Sequence, residues 1–484
     1  MSQLLLSSNE WARQQFASAD LGDCRRVNRL IKIGAALADT PRGTLPGAMP
    51  QWKDLKAAYR LFDNRAVTRE KVMQPHFEAV QALCLGPGVF LLIEDSTSCN
   101  FTAHKFMRGM GRIGNDMAQG INLHTTLALK VVRWDSSGEE PHLQVLGLAG
   151  QHAWVRDKEL TRGEGVPPGR ERKKRAFSRA RESQRWAGSL GGWPAACPDA
   201  SNQRIYVADR EGDVYECLER CASAGFDYVI RACHDRALLP PQGNEGGQTE
   251  PATSLFGAAA KGQNLVCYTL KLRARPGKAA RQAKIEVRSA PVELRPPYRP
   301  GGRPAPRKLF VVEAREVDPP AGVKEPIHWV ILTSLDCSDP IQALRVVRIY
   351  HARWIIEEYH KVLKTGMGIE ESQLEERRRF EPLLGILSLV AARLLGLKLK
   401  AVESPDAPLQ AGDIEPEALT VLEAKLGAPE GGWTHAKMWI GIARMGGFLA
   451  RKGDGTPGWQ TVWRGWNRLR SMTEGACIVG KTCG

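Results

Sequence analysis

Residues Tyr350 to Gly366 read YHARWIIEEYHKVLKTG, and the periodicity of this segment decides how the rest of the chain is read. At about 100° per residue, Ile355, Ile356, Tyr359, Val362 and Leu363 gather into an apolar stripe wide enough to pack on a core. Tyr350, Arg353, Glu357 and Lys364 fall within an arc of roughly 60° on the other side. The segment is therefore expected to be one helix presenting a carboxylate flanked by a guanidinium, an ammonium and a phenol. The anion suits a metal ion, and the two cations with a hydroxyl donor suit phosphate. Alone, the pattern is also that of an ordinary solvated helix face, so the choice rests on the remainder of the chain.

The 484 residues include 68 Lys and Arg against 53 Asp and Glu, a net charge of +15. That length accommodates about two to four domains. The basic excess favours a polyanionic partner, nucleic acid ahead of an anionic membrane. No membrane partner is expected: the most apolar stretch, Leu383 to Leu399, carries Arg393 and Lys398 and is too interrupted to span a bilayer. The start, MSQLLLSSNEW, lacks the charged region of a secretory signal and soon meets Glu10 and Arg13. Eleven cysteines without a C-x-x-C pair read as reduced thiols of a cytoplasmic protein, Cys217 and Cys221 lying one turn apart on a helix.

Residues 1–70 are expected to form a helical unit. WARQQFASADLGDCRRVNRLIKIGAALAD spaces its apolar residues by three and four, with an interruption at Leu21-Gly22-Asp23. Arg25, Arg26 and Arg29 line one side of the second helix, and DLKAAYRLFDN adds Lys56 and Arg60. The unit fits a DNA-contacting module and equally a basic solvated surface.

Two apolar runs then end in carboxylates, Val89 to Asp95 and Ile205 to Asp209. Continuous runs of this length suit strands buried on both faces, and acids at their ends are expected at the rim of the sheet, where ligands bind in α/β folds. INLHTTLALKVV and LQVLGLAGQHAWV read as further strands, GRERKKRAFSRARESQRWAGSL as a basic helix, DVYECLERCASAG as a short helix and FDYVIRA as a strand. The order β-β-β-α-β-α-β predicts antiparallel strands feeding into parallel ones. From about 233 to 326 the chain is rich in Pro, Gly and Arg and is expected to form a small β-rich insertion, with flexible loops around Pro276-Gly277-Lys278 and Pro300-Gly301-Gly302. HWVILTS returns to the main sheet. Asp339 then caps a helix with Pro340 at its first position, and Gly366 stops the Tyr350 segment. From about 376 onward the chain reads as helical.

Asp95, Asp209 and Glu357 are three acids on three core elements. Carboxylate oxygens with open positions suit Mg²⁺ or Mn²⁺, and acids from separate elements can converge on a pair of ions. Taken singly, each reads as a surface charge or a cap. Gly109 to Gly114 fits G-x-G-x-x-G but precedes a strand, which argues against a dinucleotide site. His104, His124 and His152 match no zinc spacing and read as core or loop histidines.

In these motifs the chain resembles the cut-and-paste DDE transposases of the bacterial insertion-sequence-four family, which includes the transposon-five transposase. LGDCRRVNRL and AAYRLF are similar to that family's amino-terminal DNA-binding region, IEDST to its first acid motif and VADREGDVYE to its second. The Tyr350 segment carries the signature Y-(2)-R-(3)-E-(6)-K in full, and WIGIARMGGFLARK with GWQTVWRGWNRL resembles the carboxy-terminal region. The insertion and residues 403–432 show little likeness.

The resemblance implies an RNase H-like mixed-sheet catalytic core over 71–375, with the β-rich insertion inside it. A DNA-binding domain over 1–70 and a helical, dimerising domain over 376–484 would flank that core. It implies Asp95, Asp209 and Glu357 as catalytic metal ligands, with two Mg²⁺ per site and Mn²⁺ able to substitute. Tyr350, Arg353 and Lys364 would hold phosphates of the element's end, with Lys361, Arg231 and the basic set Arg25, Arg26, Arg29 and Arg60 also on DNA. Trp329 matches the position that stacks on a flipped base, which favours a hairpin intermediate; from its own surroundings it reads as a core strand aromatic. The implied partners are double-stranded DNA (terminal inverted repeats and target) and a second copy of the chain in the DNA-bound complex, in a bacterial cytoplasm at the nucleoid. Two other readings remain: a two-metal nuclease without strand transfer, and a non-catalytic end-binding protein.

Overall fold

The computed structural model describes residues 7–40, 43–114, 118–135, 140–156, 184–193, 201–240, 253–272, 280–299, 302–410, 413–451 and 453–482. The basic run within Gly169–Leu190 lies mostly outside them, as do Pro276-Gly277-Lys278 and Pro300-Gly301.

The amino-terminal unit forms where local chemistry dictates. Ser7 and Glu10 close a capping box on α1 (Ser8–Phe16), and Asp23 caps α2 (Cys24–Asp39) by accepting from the Arg25 N–H. The break at Leu21-Gly22-Asp23 therefore falls as the sequence predicts. Helices α3 (Leu45–Ala48), α4 (Trp52–Asp63) and α5 (Arg69–Leu83) follow. Trp11, Phe16, Leu30, Leu61 and Phe62 are buried among them.

Among the described residues the centre is a ten-stranded sheet in the order β2-β3-β1-β5-β6-β10-β9-β8-β7, with β4 also paired to β3. Strands β1 (Gly88–Asn100), β2 (Gly111–Ile113), β3 (Ala118–Trp134) and β4 (Pro141–Trp154) precede the short helix α6 (Gln184–Gly188). Strand β5 (Asn202–Ala208), helix α7 (Tyr215–Ser223) and strand β6 (Asp227–Arg231) follow it. Strands β3 and β4 pair antiparallel with each other, β3 pairs antiparallel with β1, and β1-β5 and β5-β6 are parallel. This is the mixed RNase H-like core. The strands read as continuous apolar runs because both faces are covered: Leu91, Ile93, Val207 and Val229 belong to one core and Phe90, Leu92, Tyr206 and Ile230 to the other.

The insertion is β-rich, as expected: after α8 (Leu255–Lys261), strands β7 (Gln263–Leu272), β8 (Arg281–Leu294) and β9 (Arg307–Val317) continue the same sheet. Strand β10 (His328–Thr333) pairs antiparallel with both β6 and β9 and joins the two parts. Without β10, β6 would present an open row of backbone donors and acceptors; pairing continues until the edge is moved out to β7.

Helices α9 (Pro340–His351) and α10 (Trp354–Lys361) cross the sheet, and Asp339 caps the first of them by accepting from the Gln342 N–H at 3.0 Å. The expectation that the stretch Leu383 to Leu399 is too interrupted to span a bilayer is corrected: the 27-residue α11 (Arg377–Glu403) is long and apolar enough to cross a membrane, yet 89% of its most apolar window is buried inside the protein. It receives the amino-terminal unit through Arg378 and Arg379 on Asp63 and through Arg393 over the Trp11 ring. Helices α12 (Pro416–Leu426), α13 (His435–Met445) and α14 (Trp459–Thr482) complete the chain. Helices α13 and α14 meet where Gly446 and Gly465 let the backbones touch; a Cβ at either would overlap a carbonyl of Thr461 or Ile442.

Candidate active site at the end of the parallel strands

The parallel register of β1 and β5 ends at Ile93 opposite Val207, and Asp95 and Asp209 lie two residues further along their strands. They stand side by side where β5 stops. The expectation that Asp95 ends a strand is corrected: β1 runs on to Asn100 because β3 keeps pairing with it, Asp95 facing Thr125. Only the β5 side opens. Asp209 caps the turn Arg210–Gly212, its Oδ1 accepting from the Glu211 N–H at 2.8 Å, and Oδ1 of Asp95 accepts from the Ser96 N–H at 2.8 Å.

The Tyr350 segment is not one helix. Helix α9 ends at His351, α10 begins at Trp354, and a π turn runs from Val362 to Gly366. At the junction the N–H groups of Arg353, Ile355 and Ile356 bond three residues back, to Tyr350, Ala352 and Arg353, which overwinds the path; the π turn then underwinds it. These phase shifts alter the even 100° spacing along the segment. Tyr350 is buried, and Lys364 donates to the Ser98 carbonyl at 2.8 Å with Glu370 3.5 Å away. Arg353 and Glu357 remain together, in direct contact, and Gly366 ends the turn. The apolar stripe holds: Ile355, Ile356, Tyr359, Val362 and Leu363 are all buried.

Electrostatics mark this place. Burial, then the nearby Asp209 and more weakly Glu357, push Asp95 up to about 7, although the Arg353 guanidinium and the Ser96 N–H oppose the shift. Three carboxylates thus share too little positive charge, which is the situation a divalent cation relieves, and the oxygen-only donor set fits Mg²⁺ or Mn²⁺. Arg353 does part of that work, with Nη1 3.6 Å from Asp95 and its other nitrogen on Glu357. Glu357 therefore turns toward Arg353, and among the described residues no three acid, His or Cys side chains are drawn to liganding distance. His360 lies behind, with Nδ1 3.9 Å from Asp95, and burial drives it down to about 3.

The other candidates follow the same rim. Beyond Ala208 opposite Ile230, Arg231 comes next on β6, level with Asp209, and donates to the His328 carbonyl at 3.0 Å. Trp329 on β10 is half-buried, its ring 5.2 Å from Tyr350 and 6.3 Å from His351. Lys361 is exposed. Arg25, Arg26, Arg29 and Arg60 stand on the amino-terminal unit. There Arg25 pairs with Asp23, Arg26 donates to the Leu21 carbonyl, and Arg29 pairs with Asp54 at 2.7 Å. Arg60 is exposed on α4.

Sequence reading missed two features. Trp354 is 43% exposed beside Arg353; an aromatic bordering the polar arc was its one signal. Glu94 and His124 form a buried pair directly behind Asp95, which bears out His124 as a core histidine. His152 is exposed and stacks on Trp154, and His104 binds the Glu370 carbonyl in a loop, so the three histidines do not gather.

Comparison with known families gives three matches. Residues 8–67 match the Transposase DNA-binding family, residues 192–393 the Transposase DDE domain, and residues 393–482 the Transposase Tn5 dimerisation domain.

Proposed function

The chain is a DDE transposase similar to that of Tn5, with a DNA-binding region and a dimerisation region flanking the catalytic domain, and from this premise we propose how it acts. It binds the terminal inverted repeats of an insertion sequence as a dimer, cleaves them, and joins their 3′-hydroxyl ends to target DNA. The division into 1–70, 71–375 and 376–484 is the functional division. The work takes place in the bacterial cytoplasm, at the nucleoid.

Asp95, Asp209 and Glu357 are the metal-holding acids, and the under-neutralised Asp95 beside Asp209, just past the end of the β1–β5 pairing, is the observation that carries the reading. When bound there, a pair of Mg²⁺ ions would lower the pKa of the attacking water or hydroxyl and stabilise the leaving oxygen. The chain's own groups position the DNA. Arg353, with Lys361, Lys364, Arg231 and the Tyr350 hydroxyl, binds phosphates; an incoming phosphate competes with Asp95 and Glu357 for the Arg353 guanidinium. Arg25, Arg26 and Arg60 hold the end further out, with Arg29 kept on Asp54 beside them.

Water first hydrolyses one phosphodiester, giving a 3′-hydroxyl and a 5′-phosphate. That hydroxyl attacks the opposite strand, forming a hairpin and releasing the flanking 3′-hydroxyl, and a second water reopens the hairpin. The regenerated 3′-hydroxyl then displaces a 3′-oxygen in target DNA. Trp329 stacks on the unpaired base that lets the strand bend; this requires its ring to open from Tyr350 and His351.

The test is incubation with Mg²⁺, supercoiled donor carrying the ends, and target DNA. Joined products support the reading. Nicks without joining favour a nuclease, and cleavage that survives Glu357→Ala would remove that residue from the site.

A further inference from the structure

On the face of β1 opposite the acid cluster, Glu94 is fully buried and accepts three hydrogen bonds. They come from the Tyr206 hydroxyl at 2.9 Å, from Nε2 of His124 at 2.9 Å and from the Thr126 hydroxyl at 2.7 Å. The donors belong to the two strands that flank β1: His124 and Thr126 to β3, Tyr206 to β5. With Nε2–H given to Glu94, Nδ1 of His124 is left to accept from the Ser96 hydroxyl, 3.0 Å away. The Ser96 N–H in turn donates to Oδ1 of Asp95 at 2.8 Å. Trp186 closes the network, edge-on to His124 with ring centroids 4.6 Å apart.

We infer that Glu94 and His124 are positioning residues that set the spacing and aim of Asp95 and Asp209. Side chains alternate along a strand, so fixing Glu94 and Ser96 from behind leaves the intervening Asp95 one backbone setting. Through Tyr206, three residues before Asp209, Glu94 also ties the second acid-bearing strand to the first. Packing alone does not call for this arrangement. Apolar residues of similar volume fill such a space at equal or lower free energy, whereas a buried carboxylate needs every donor in place. Groups one bond removed from metal ligands tune affinity through such orientation. The inference rests on the proposed role of Asp95 and Asp209 as metal ligands.

Two variants test it. Glu94→Gln keeps the shape but loses acceptor capacity, and Tyr206→Phe removes one hydroxyl. Mn²⁺ binding to the DNA-free protein is read by electron paramagnetic resonance, beside the Mg²⁺ concentration giving half-maximal end cleavage. Both variants should weaken Mn²⁺ binding and raise the Mg²⁺ requirement about tenfold, with kcat at saturating Mg²⁺ within about threefold of the parent and end-DNA affinity unchanged. Parental metal dependence in both variants overturns the inference. So does a loss of cleavage that saturating metal fails to restore, which marks a structural role. Should the parent bind no Mn²⁺ in an Asp95-dependent way, the proposed function fails first and takes this inference with it.

Discussion

The two faces of β1 treat adjacent carboxylates in opposite ways. On the rear face Glu94 has three donors and no exposure. On the front face Asp95 has one backbone donor and a guanidinium 3.6 Å away, and it meets the charges of Asp209 and Glu357. One face is satisfied and rigid; the other is strained electrostatically and open to a cation. The difference separates a carboxylate whose charge the fold satisfies from one whose charge it leaves unbalanced, as the proposed metal-holding role requires.

The comparison breaks most visibly in activity. Asp95→Asn, Asp209→Asn or Glu357→Ala should each lower end cleavage and joining by at least about a thousandfold in a gel assay, because groups that act as a unit fail together. A triad variant that retains more than a tenth of parental cleavage would remove that acid from the site.

Stability should move in opposite directions on the two faces. Glu94→Ala leaves three buried donors without an acceptor and should cost about 3 kcal/mol in denaturant unfolding. Asp95→Asn removes repulsion and should stabilise the metal-free protein. Asp95 ionises at about 7 when folded against an ordinary value of 3.8. Between those values the native state holds a proton that the unfolded chain has released, so this contribution to stability is lost as pH rises from about 4 to 7. Asp95→Asn should flatten that part of the stability curve. Mn²⁺ should raise the Tm of the parent, more at pH 8 than at pH 6. If both substitutions destabilise equally at pH 8, the contrast between the faces is wrong.

The front face was legible in sequence where chemistry is local to a strand or a cap. Apolar runs ending in Asp95 and Asp209, the break at Leu21-Gly22-Asp23, the Asp339 cap and the apolar stripe of the Tyr350 segment all depend on neighbours along the chain. The rear face was not, because Glu94 meets His124 and Tyr206 only once β3 and β5 have paired with β1. That the strands of the insertion extend the main sheet was not legible for the same reason: strand partners at an edge are chosen by the open edge of β6, which no periodicity records. The breaks in the Tyr350 segment were not legible because a 100° step cannot anticipate an overwound junction at Arg353 and a π turn at Val362.

Further along the same rim, Trp329→Ala should reduce hairpin yield about tenfold while sparing the first nick, since base stacking is worth about 1–3 kcal/mol. Normal hairpin yield would return Trp329 to the role of a strand aromatic packed on Tyr350 and His351.

The smallest expected effect lies outside the sheet and separates paired charge from exposed charge. Arg29 is paired with Asp54, whereas Arg60 is exposed on α4. A phosphate contact releases condensed counterions, so Arg60→Ala should lower the slope of log affinity against log salt by about one and weaken end DNA and scrambled duplex alike. Arg29→Ala should change that slope less and lower the stability of the amino-terminal unit instead, because its charge is spent on α4. Titrations of the two variants at several salt concentrations distinguish them; equal slopes would mean that Arg29 leaves Asp54 for a phosphate when DNA arrives.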